Sequence, residues 1–515
     1  MKIKLNYKRI VLCSVTGFLA ASAFPKLNLF FLVWISFIPM IFVLMKTGLK
    51  LSFFYGFLSG FVFNMLGLYW LVPMLHFSTG SYVKSIIASC ALWTYLALYW
   101  GIWGLCLNFL ISKTILKNIF YSNISLAFFA SCVWILLEYL RTYLLTGFPW
   151  MLIGYSQFEF TEIIQIAEFT GVYGVSFLVV FCNLCLYFWI SMEKENLKCN
   201  NLYLFMVLLL IIGFSIFGLI RANKFRTLGN QEFTVAIVQP NVNQYEKWDP
   251  DYISSVLFNL KKYALEISKI KADLVVWPET IFVGSINEDE CLYNSAKQIT
   301  NIAGGFNIVG SFYTNEKNKR FNVVLAFENG NCRAIHKKNH LVAFGEFIPF
   351  KTLFSSFFGV LSQMSDLTKG EDTEVFSNNK ISIGSTICSE NFLPDISRKF
   401  ALLGAKVFTN HTNDAWFFDT AAPYQHFIMN VFRAIENRKH VIVSANSGIS
   451  GIIEASGVII EKTLSSKEVL LIGKFFQNDF KTFYTKYGDL FVNLCAILLL
   501  GLVLLRLGFI FSGKL

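Results

Sequence analysis

Residues 201–220 carry no charged side chain. A chain in hydrocarbon must satisfy every backbone N–H and C=O from within, so such a run folds as a membrane-crossing helix. Further apolar blocks lie near 10–25, 28–45, 52–75, 85–111, 121–140, 166–192 and 490–511. Each approaches or exceeds the ~20 residues that span a bilayer core. The first is short, and 121–140 carries Glu138. Only 15% of the chain is charged, against about a quarter in soluble proteins. That excludes a wholly soluble protein and predicts about eight transmembrane α-helices.

Charge sets the expected orientation. Lys2, Lys4, Lys8 and Arg9 precede the first block. Alternate short loops carry Lys46 and Lys50, Lys113 and Lys117, then Lys194 and Lys198, and the tail carries Arg506 and Lys514. The other loops hold only Lys26, Lys84 and Arg141. The positive-inside rule then places both termini in the cytoplasm. Seven spans precede a long polar block, which is expected outside the cytoplasm. Topology accounts for much of the net charge of +11, so that charge does not point to nucleic acid. Ala21-Ser22-Ala23 has the look of a signal-peptidase site. An uncleaved helix is the expected reading, and cleavage would leave the polar block on the same side.

The organisation expected is a transmembrane domain over 1–225, a catalytic domain over 226–482 and a last helix within 483–515. In the polar block, strands are predicted at 233–240, 272–278, 307–313, 322–328, 381–388, 405–410, 441–446 and 451–460. Helices are predicted at 251–270, 289–303, 391–403 and 423–439. In the first of these, Ile253, Val256, Leu257, Leu260, Ala264, Ile267 and Ile270 make one apolar stripe. Alternating strands and helices indicate a layered α/β domain.

The chain has 11 cysteines, most of them in or beside apolar spans. There a cysteine packs as a small apolar residue, the Cys182/Cys185 pair included. Cys291, Cys332 and Cys388 lie in the polar block, and an odd number leaves a free thiol in an oxidising compartment. Cys388 ends a predicted strand and precedes a helix. A helix N-terminus or a nearby cation lowers a thiol pKa. Lys338 can supply the cation and steady a developing oxyanion. Glu279, at another strand end, can take and return a proton. Each residue alone has a bland reading: a solvated carboxylate, a surface lysine, a buried small side chain. Their combination and order point to acyl transfer. No Walker loop or zinc-ligand spacing occurs, so no cofactor or metal is expected.

The flanking residues carry a resemblance. They are Val238-Gln239-Pro240-Asn241, Lys247-Trp248-Asp249, Trp277-Pro278-Glu279-Thr280, His340-Leu341-Val342 and Phe344-Gly345-Glu346. Asn413-Asp414-Ala415-Trp416-Phe417, Gln425-His426 and Arg433-Ala434-Ile435-Glu436 follow. The block resembles the carbon–nitrogen hydrolase (nitrilase) superfamily, an αββα sandwich. With Thr146-Gly147-Phe148-Pro149-Trp150 and Gly154-Tyr155-Ser156-Gln157, nearly the whole chain resembles the apolipoprotein N-acyltransferase family of the bacterial inner membrane. The resemblance implies Glu279 as general base, Lys338 as oxyanion stabiliser and Cys388 as nucleophile. Lys338 is preferred over Lys337 because the family counts eight residues from its lysine to the glutamate, here Glu346. Trp248, Glu346, Glu390, Ser389 and Trp150 fall at supporting positions. Two departures stand out. Ala343 replaces the usual Pro, expected to loosen that loop, and Ser389 replaces an aromatic residue.

The implied reaction is ping-pong, through a Cys388 thioester. The implied donor is a phospholipid, phosphatidylethanolamine above all. The acceptor is the α-amine of a diacylglyceryl-cysteine apolipoprotein. The catalytic domain is expected on the periplasmic side of a monomer. Residues 353–361, with Phe357 and Phe358, are expected to form a membrane-dipping lid. A membrane-anchored amidase, a transporter with an inert domain (Glu138 and Arg141 being its intramembrane charges) and a binding module stay open as alternatives.

Overall fold

The computed structural model describes residues 6–112, 123–191, 197–226, 229, 231–247, 249–347 and 367–511. The chain divides into two compact units. One comprises 1–72, 83–221 and 487–515, the other 73–82 and 222–486.

The first unit is helical. Among the described residues, five helices are long and apolar enough to cross a membrane: Leu49–Gly67, Tyr82–Ile111, Asn123–Tyr143, Val172–Ser191 and Asn201–Arg226. Phe30–Leu44 and Leu490–Leu505 are shorter apolar helices. The 28–45 block is broken into a 3-10 turn and two short helices, with Pro39 at the start of the second. The centre of this unit is aromatic. Phe37 stacks on Trp100 with ring centroids 5.1 Å apart and meets Trp134 edge-on at 4.9 Å. Glu138 and Arg141 are buried here. Glu138 Oε1 accepts from the Ile153 amide at 2.8 Å, and Arg141 donates to the Trp150 carbonyl at 3.3 Å. Both charges thus serve the backbone of the segment carrying Trp150, whose ring lies 4.8 Å from that of Trp70.

The second unit holds two six-stranded sheets. The first is ordered β12-β1-β2-β3-β4-β5. Its strands are β1 (Glu232–Gln239), β2 (Leu274–Val276), β3 (Phe306–Thr314), β4 (Arg320–Glu328), β5 (Asn331–Lys337) and β12 (Val469–Phe476). The second is ordered β11-β10-β9-β8-β7-β6. It comprises β6 (Val375–Ser377), β7 (Ser382–Ile387), β8 (Val407–Thr412), β9 (Val441–Ala445), β10 (Gly451–Ile453) and β11 (Ile459–Lys462). Both have a parallel centre, β1-β2-β3 and β7-β8-β9, flanked by antiparallel strands. The predicted strand 451–460 is two strands, because the chain reverses at Gly457 with φ +86°. β5, β6 and β12 were not predicted.

Side-chain alternation sorts the core. In β1, Val235 and Ile237 join Val276, Ile308, Ile383, Val407 and Ile442 between the sheets. Ala236 and Val238 face the other way, against Leu260, Ala264 and Ile267 of the helix Pro250–Ile270 and Leu292, Ala296 and Ile299 of the helix Glu290–Ala303. Polar ties also cross the sandwich. Ser444 donates to the Val238 carbonyl at 3.0 Å. His411 Nδ1 meets the Trp277 carbonyl at 2.7 Å, and its Nε2 meets Thr409 Oγ1 at 2.9 Å. Burial holds this imidazole neutral, lowering its pKa to about 4.

Ile308 is fully buried between the sheets. Ile308→Ala should cost about 2–5 kcal/mol of stability, read as a lower thermal midpoint of the purified protein. Lys462→Ala, on exposed β11, should stay within about 0.5 kcal/mol of wild type.

Candidate active site

Strand ends place the candidate residues. Glu279 follows β2, Lys338 follows β5, Cys388 follows β7, and Asp414 lies two residues beyond β8. β5 runs in the direction of β3, two antiparallel steps away. These are C-terminal strand ends, where side chains from separate strands converge. Glu279, Lys338 and Glu390 are all buried.

Lys338 is the hub of one cluster. Its Nζ lies 2.9 Å from Glu346 Oε1 and 3.7 Å from Glu279 Oε1. Asn322 Nδ2 bridges the same carboxylates, donating to Glu279 at 2.7 Å and Glu346 at 3.1 Å. Lys337 faces elsewhere, its ammonium over the rings of Phe321 and Tyr313. A buried cation needs paired anions, and Glu346 is the nearer. Its other oxygen accepts from the Val342 amide at 2.8 Å. The turn bearing Ala343 is closed without a proline: Glu346 N donates to Val342 O at 2.8 Å and Phe344 N to Phe347 O at 2.7 Å.

Electrostatics follow from burial. Desolvation would lower Lys338, but Glu346, Cys388 and Glu279 outweigh it and raise its pKa, so it stays a cation. Burial raises Glu279; Lys338 opposes and Glu346 adds to the rise. The thiol corrects an expectation. Burial pushes Cys388 well above its ordinary value, Glu279 adds to this, and Lys338 opposes without prevailing. The segment after Cys388 is a 3-10 turn, Cys388–Phe392, and not an α-helical N-terminus. That environment favours the protonated thiol over the thiolate.

Cys388 has φ +49°, a left-handed backbone for a non-glycine residue. Such residues cost of order 1–3 kcal/mol and need surroundings that impose them. Here Asn410 Nδ2 donates to the Cys388 carbonyl at 3.2 Å, and His426 Nε2 lies 3.3 Å from it. Glu390 fastens the same turn. Its carboxylate accepts from Ile387 N at 2.8 Å, from Asn339 N, and from His340 N at 3.3 Å. It thereby joins the strand ends that carry Cys388 and Lys338. Burial alone would raise Glu390; His336 and the amides outweigh it and hold the carboxyl below its ordinary value. Ser389 is buried beside it.

Lys247 stands in a quoted motif, but the sequence assigned it no role. It ends the short helix Gln244–Lys247 and is buried. Its Nζ donates to the Glu279 carbonyl at 3.0 Å and to Thr280 Oγ1 at 2.8 Å. Burial lowers its pKa to about 8, against Glu279 and Cys388. Thr280 is also left-handed, φ +45°. Gly310 on β3 lies against this turn, where an added Cβ would collide with the backbone of 278–280. Asp414, within a quoted motif, accepts from His426 Nδ1 at 2.8 Å. Trp248 and the 353–361 segment lie outside the described residues, and Trp150 belongs to the other unit.

Among the described residues, no group of three or more His, Cys, Asp or Glu is placed to hold a metal ion. An open cavity of about 1080 Å³, lined by Glu290, Cys291 and Asn331 among others, includes none of this cluster. A thiol, a carboxylate with raised proton affinity and a fixed cation in one water-poor cluster can perform acyl transfer.

Comparison with known proteins adds relatives of nearly full length. Residues 16–185 match the apolipoprotein N-acyltransferase N-terminal domain, and residues 234–479 match the carbon-nitrogen hydrolase domain. An apolipoprotein N-acyltransferase of Geobacter metallireducens is 30% identical, over 94% of this chain and 92% of that protein. One from Pasteurella multocida is 28% identical, over 97% and 95%. One from Rickettsia prowazekii is 27% identical, over 98% and 100%.

Glu390 titrates with a defined sign. Its folded pKa is depressed, so its contribution to stability is present above the unfolded value of about 4.3 and lost as pH falls through the lower folded value. Glu390→Gln should destabilise by about 1.5–3 kcal/mol at neutral pH. The gap to wild type should shrink below about pH 4, as followed by unfolding at a series of pH values.

Proposed function

The chain belongs to the apolipoprotein N-acyltransferase family and is a membrane acyltransferase with a carbon–nitrogen hydrolase domain; on that premise we propose how its site performs the transfer. The acyl donor is a phospholipid, phosphatidylethanolamine in first place, cut at its sn-1 ester. The acceptor is the free α-amine of the diacylglyceryl-cysteine that begins a lipoprotein.

Glu279 takes the thiol proton as Cys388 Sγ attacks the ester carbonyl. Lys338, held cationic by two carboxylates, faces the developing oxyanion. The tetrahedral adduct collapses by breaking the ester C–O bond. The leaving alkoxide takes the proton from Glu279 and departs as lysophospholipid, leaving a Cys388 thioester. The amine attacks that thioester, gives a proton to Glu279 and forms an amide. The thiolate leaves and recovers the proton. Each step is a proton or acyl transfer, so electrons balance without an oxidant.

The observation that carries this reading is buried Lys338 held between Glu279 and half-buried Glu346, beside a left-handed cysteine. The raised proton affinity of Glu279 suits a group that must accept a proton and return it. The same premise supports a finer placement: eight spans, helices over 1–225 and 483–515, the catalytic block 226–482 on the periplasmic face of the inner membrane, and a monomeric enzyme.

The test uses the full chain in vesicles containing labelled phosphatidylethanolamine. Wild type should acquire hydroxylamine-sensitive label that passes to an added diacylglyceryl-cysteine peptide. Cys388→Ala should acquire none. Glu279→Gln and Lys338→Met should each slow labelling by about a hundredfold or more. Label released only as free fatty acid would make the protein a hydrolase. Label that persists in Cys388→Ala would remove Cys388 as nucleophile.

A further inference from the structure

A hydroxyl has one hydrogen to give, and Thr412 has two neighbours that can use it. Thr412 ends β8 and is buried. Its Oγ1 lies 2.9 Å from Asp414 Oδ1 and 3.7 Å from Cys388 Sγ. An ionised carboxylate only accepts. Thr412 Oγ1 is placed to donate to either atom but to only one at a time, and when the hydrogen lies on the shorter contact, to Asp414, a lone pair is left toward the thiol. Asp414 has a second donor, His426 Nδ1 at 2.8 Å. Thr412 can therefore turn its hydrogen away without leaving Asp414 unpartnered, a cost that would otherwise oppose the rotation. Gly448 packs so closely that a Cβ there would overlap Asp414 Oδ2. His426 Nε2, on the same ring, lies 3.3 Å from the Cys388 carbonyl and 3.1 Å from Asn391 Oδ1.

We propose that Thr412 is a further catalytic residue, accepting from the resting Cys388 thiol and donating to the thiolate, with Asp414 and His426 as positioning residues. The inference rests on Cys388 being the nucleophile. The thiolate occurs twice per cycle: when Glu279 removes the proton, and when the amine expels sulfur from the thioester adduct. In a buried site beside carboxylates, one donor to that sulfur stabilises both moments. No other bond is made or broken.

The charged and titratable groups around Cys388 bear on its pH dependence. They are Glu279 beyond β2, Lys338 and Glu346 beyond β5, Lys247 of Gln244–Lys247, Asp414 beyond β8 and His426 of the helix Ala422–Asn437. None is altered by a change at Thr412. Removing the hydroxyl makes the thiolate harder to form, so the pH profile of acylation should move upward.

The experiment measures the rate of hydroxylamine-sensitive labelling from labelled phosphatidylethanolamine vesicles, across about pH 6 to 10. It compares wild type, Thr412→Val, Thr412→Ser and Cys388→Ala. Thr412→Val preserves shape and should label about tenfold or more slowly, with its profile displaced to higher pH. Thr412→Ser, which keeps the hydroxyl, should stay close to wild type. If the valine variant fails to fold, Thr412→Ala repeats the arm without the branched methyl. A hydroxyl-free variant with wild-type rate and profile overturns the inference, as does a serine variant no faster than valine. Label independent of Cys388 would instead overturn the underlying nucleophile assignment.

Discussion

Burial of the Lys338 ammonium is the constraint on which the second unit is organised. A cation out of water must be surrounded by anions and by acceptors of its hydrogens. Glu346 meets that demand at 2.9 Å and Glu279 at 3.7 Å. Asn322 then ties the two carboxylates together. The arrangement settles three charge states at once. Lys338 remains charged, Glu279 gains proton affinity, and the neighbouring thiol stays protonated until needed. Removing the lysine would leave buried Glu279 facing half-buried Glu346 without a cation between them. Its electrostatic and structural roles are therefore hard to separate.

The cluster is assembled from turns that the backbone adopts at a cost. Thr280 follows Glu279, Phe344 lies between Lys338 and Glu346, and Cys388 is itself the third; all have positive φ. A left-handed residue thus marks each of the three segments that supply the site. Strain of this kind persists only where surroundings over-determine it. Lys247 fastens the Thr280 turn, hydrogen bonds among residues 342–347 close the Phe344 turn, and Asn410 and Glu390 fix the Cys388 turn. The well-packed layers behind these turns supply the rigidity.

Much of this was legible in the sequence, for physical reasons. Charge-free runs of about twenty residues have few alternatives to a membrane helix, and β-branched runs ending in Pro, Asn or Gly marked most strands. β5 escaped because NCRAIHK is half-exposed and weakly alternating, β6 because it is only Val375–Ser377. β12, VLLIGKFF, has no clean period. Glu279, Lys338 and Cys388 were singled out because acyl-transfer chemistry needs those groups. Lys247 stood in a quoted motif without a role, because a lysine in a polar stretch reads as solvated; only the fold shows it buried against Glu279. Asp414 and His426 stood inside recognised motifs, but the Thr412 contact joins the ends of β7 and β8. Register across a parallel pair cannot be read from either strand alone.

The first and last strands of the block lie side by side, with Glu232 of β1 opposite Phe476 of β12. Neighbouring strands are about 4.8 Å apart, so the entry and exit of some 240 residues nearly coincide. A cassette whose ends adjoin can be spliced between two consecutive helices while asking almost nothing of the host but a pair of nearby stems. The antiparallel β1–β12 ladder ties its two ends together directly. Residues 73–82, from within the helical part of the chain, also belong to this unit, so such an insertion takes up a short piece of its host as well.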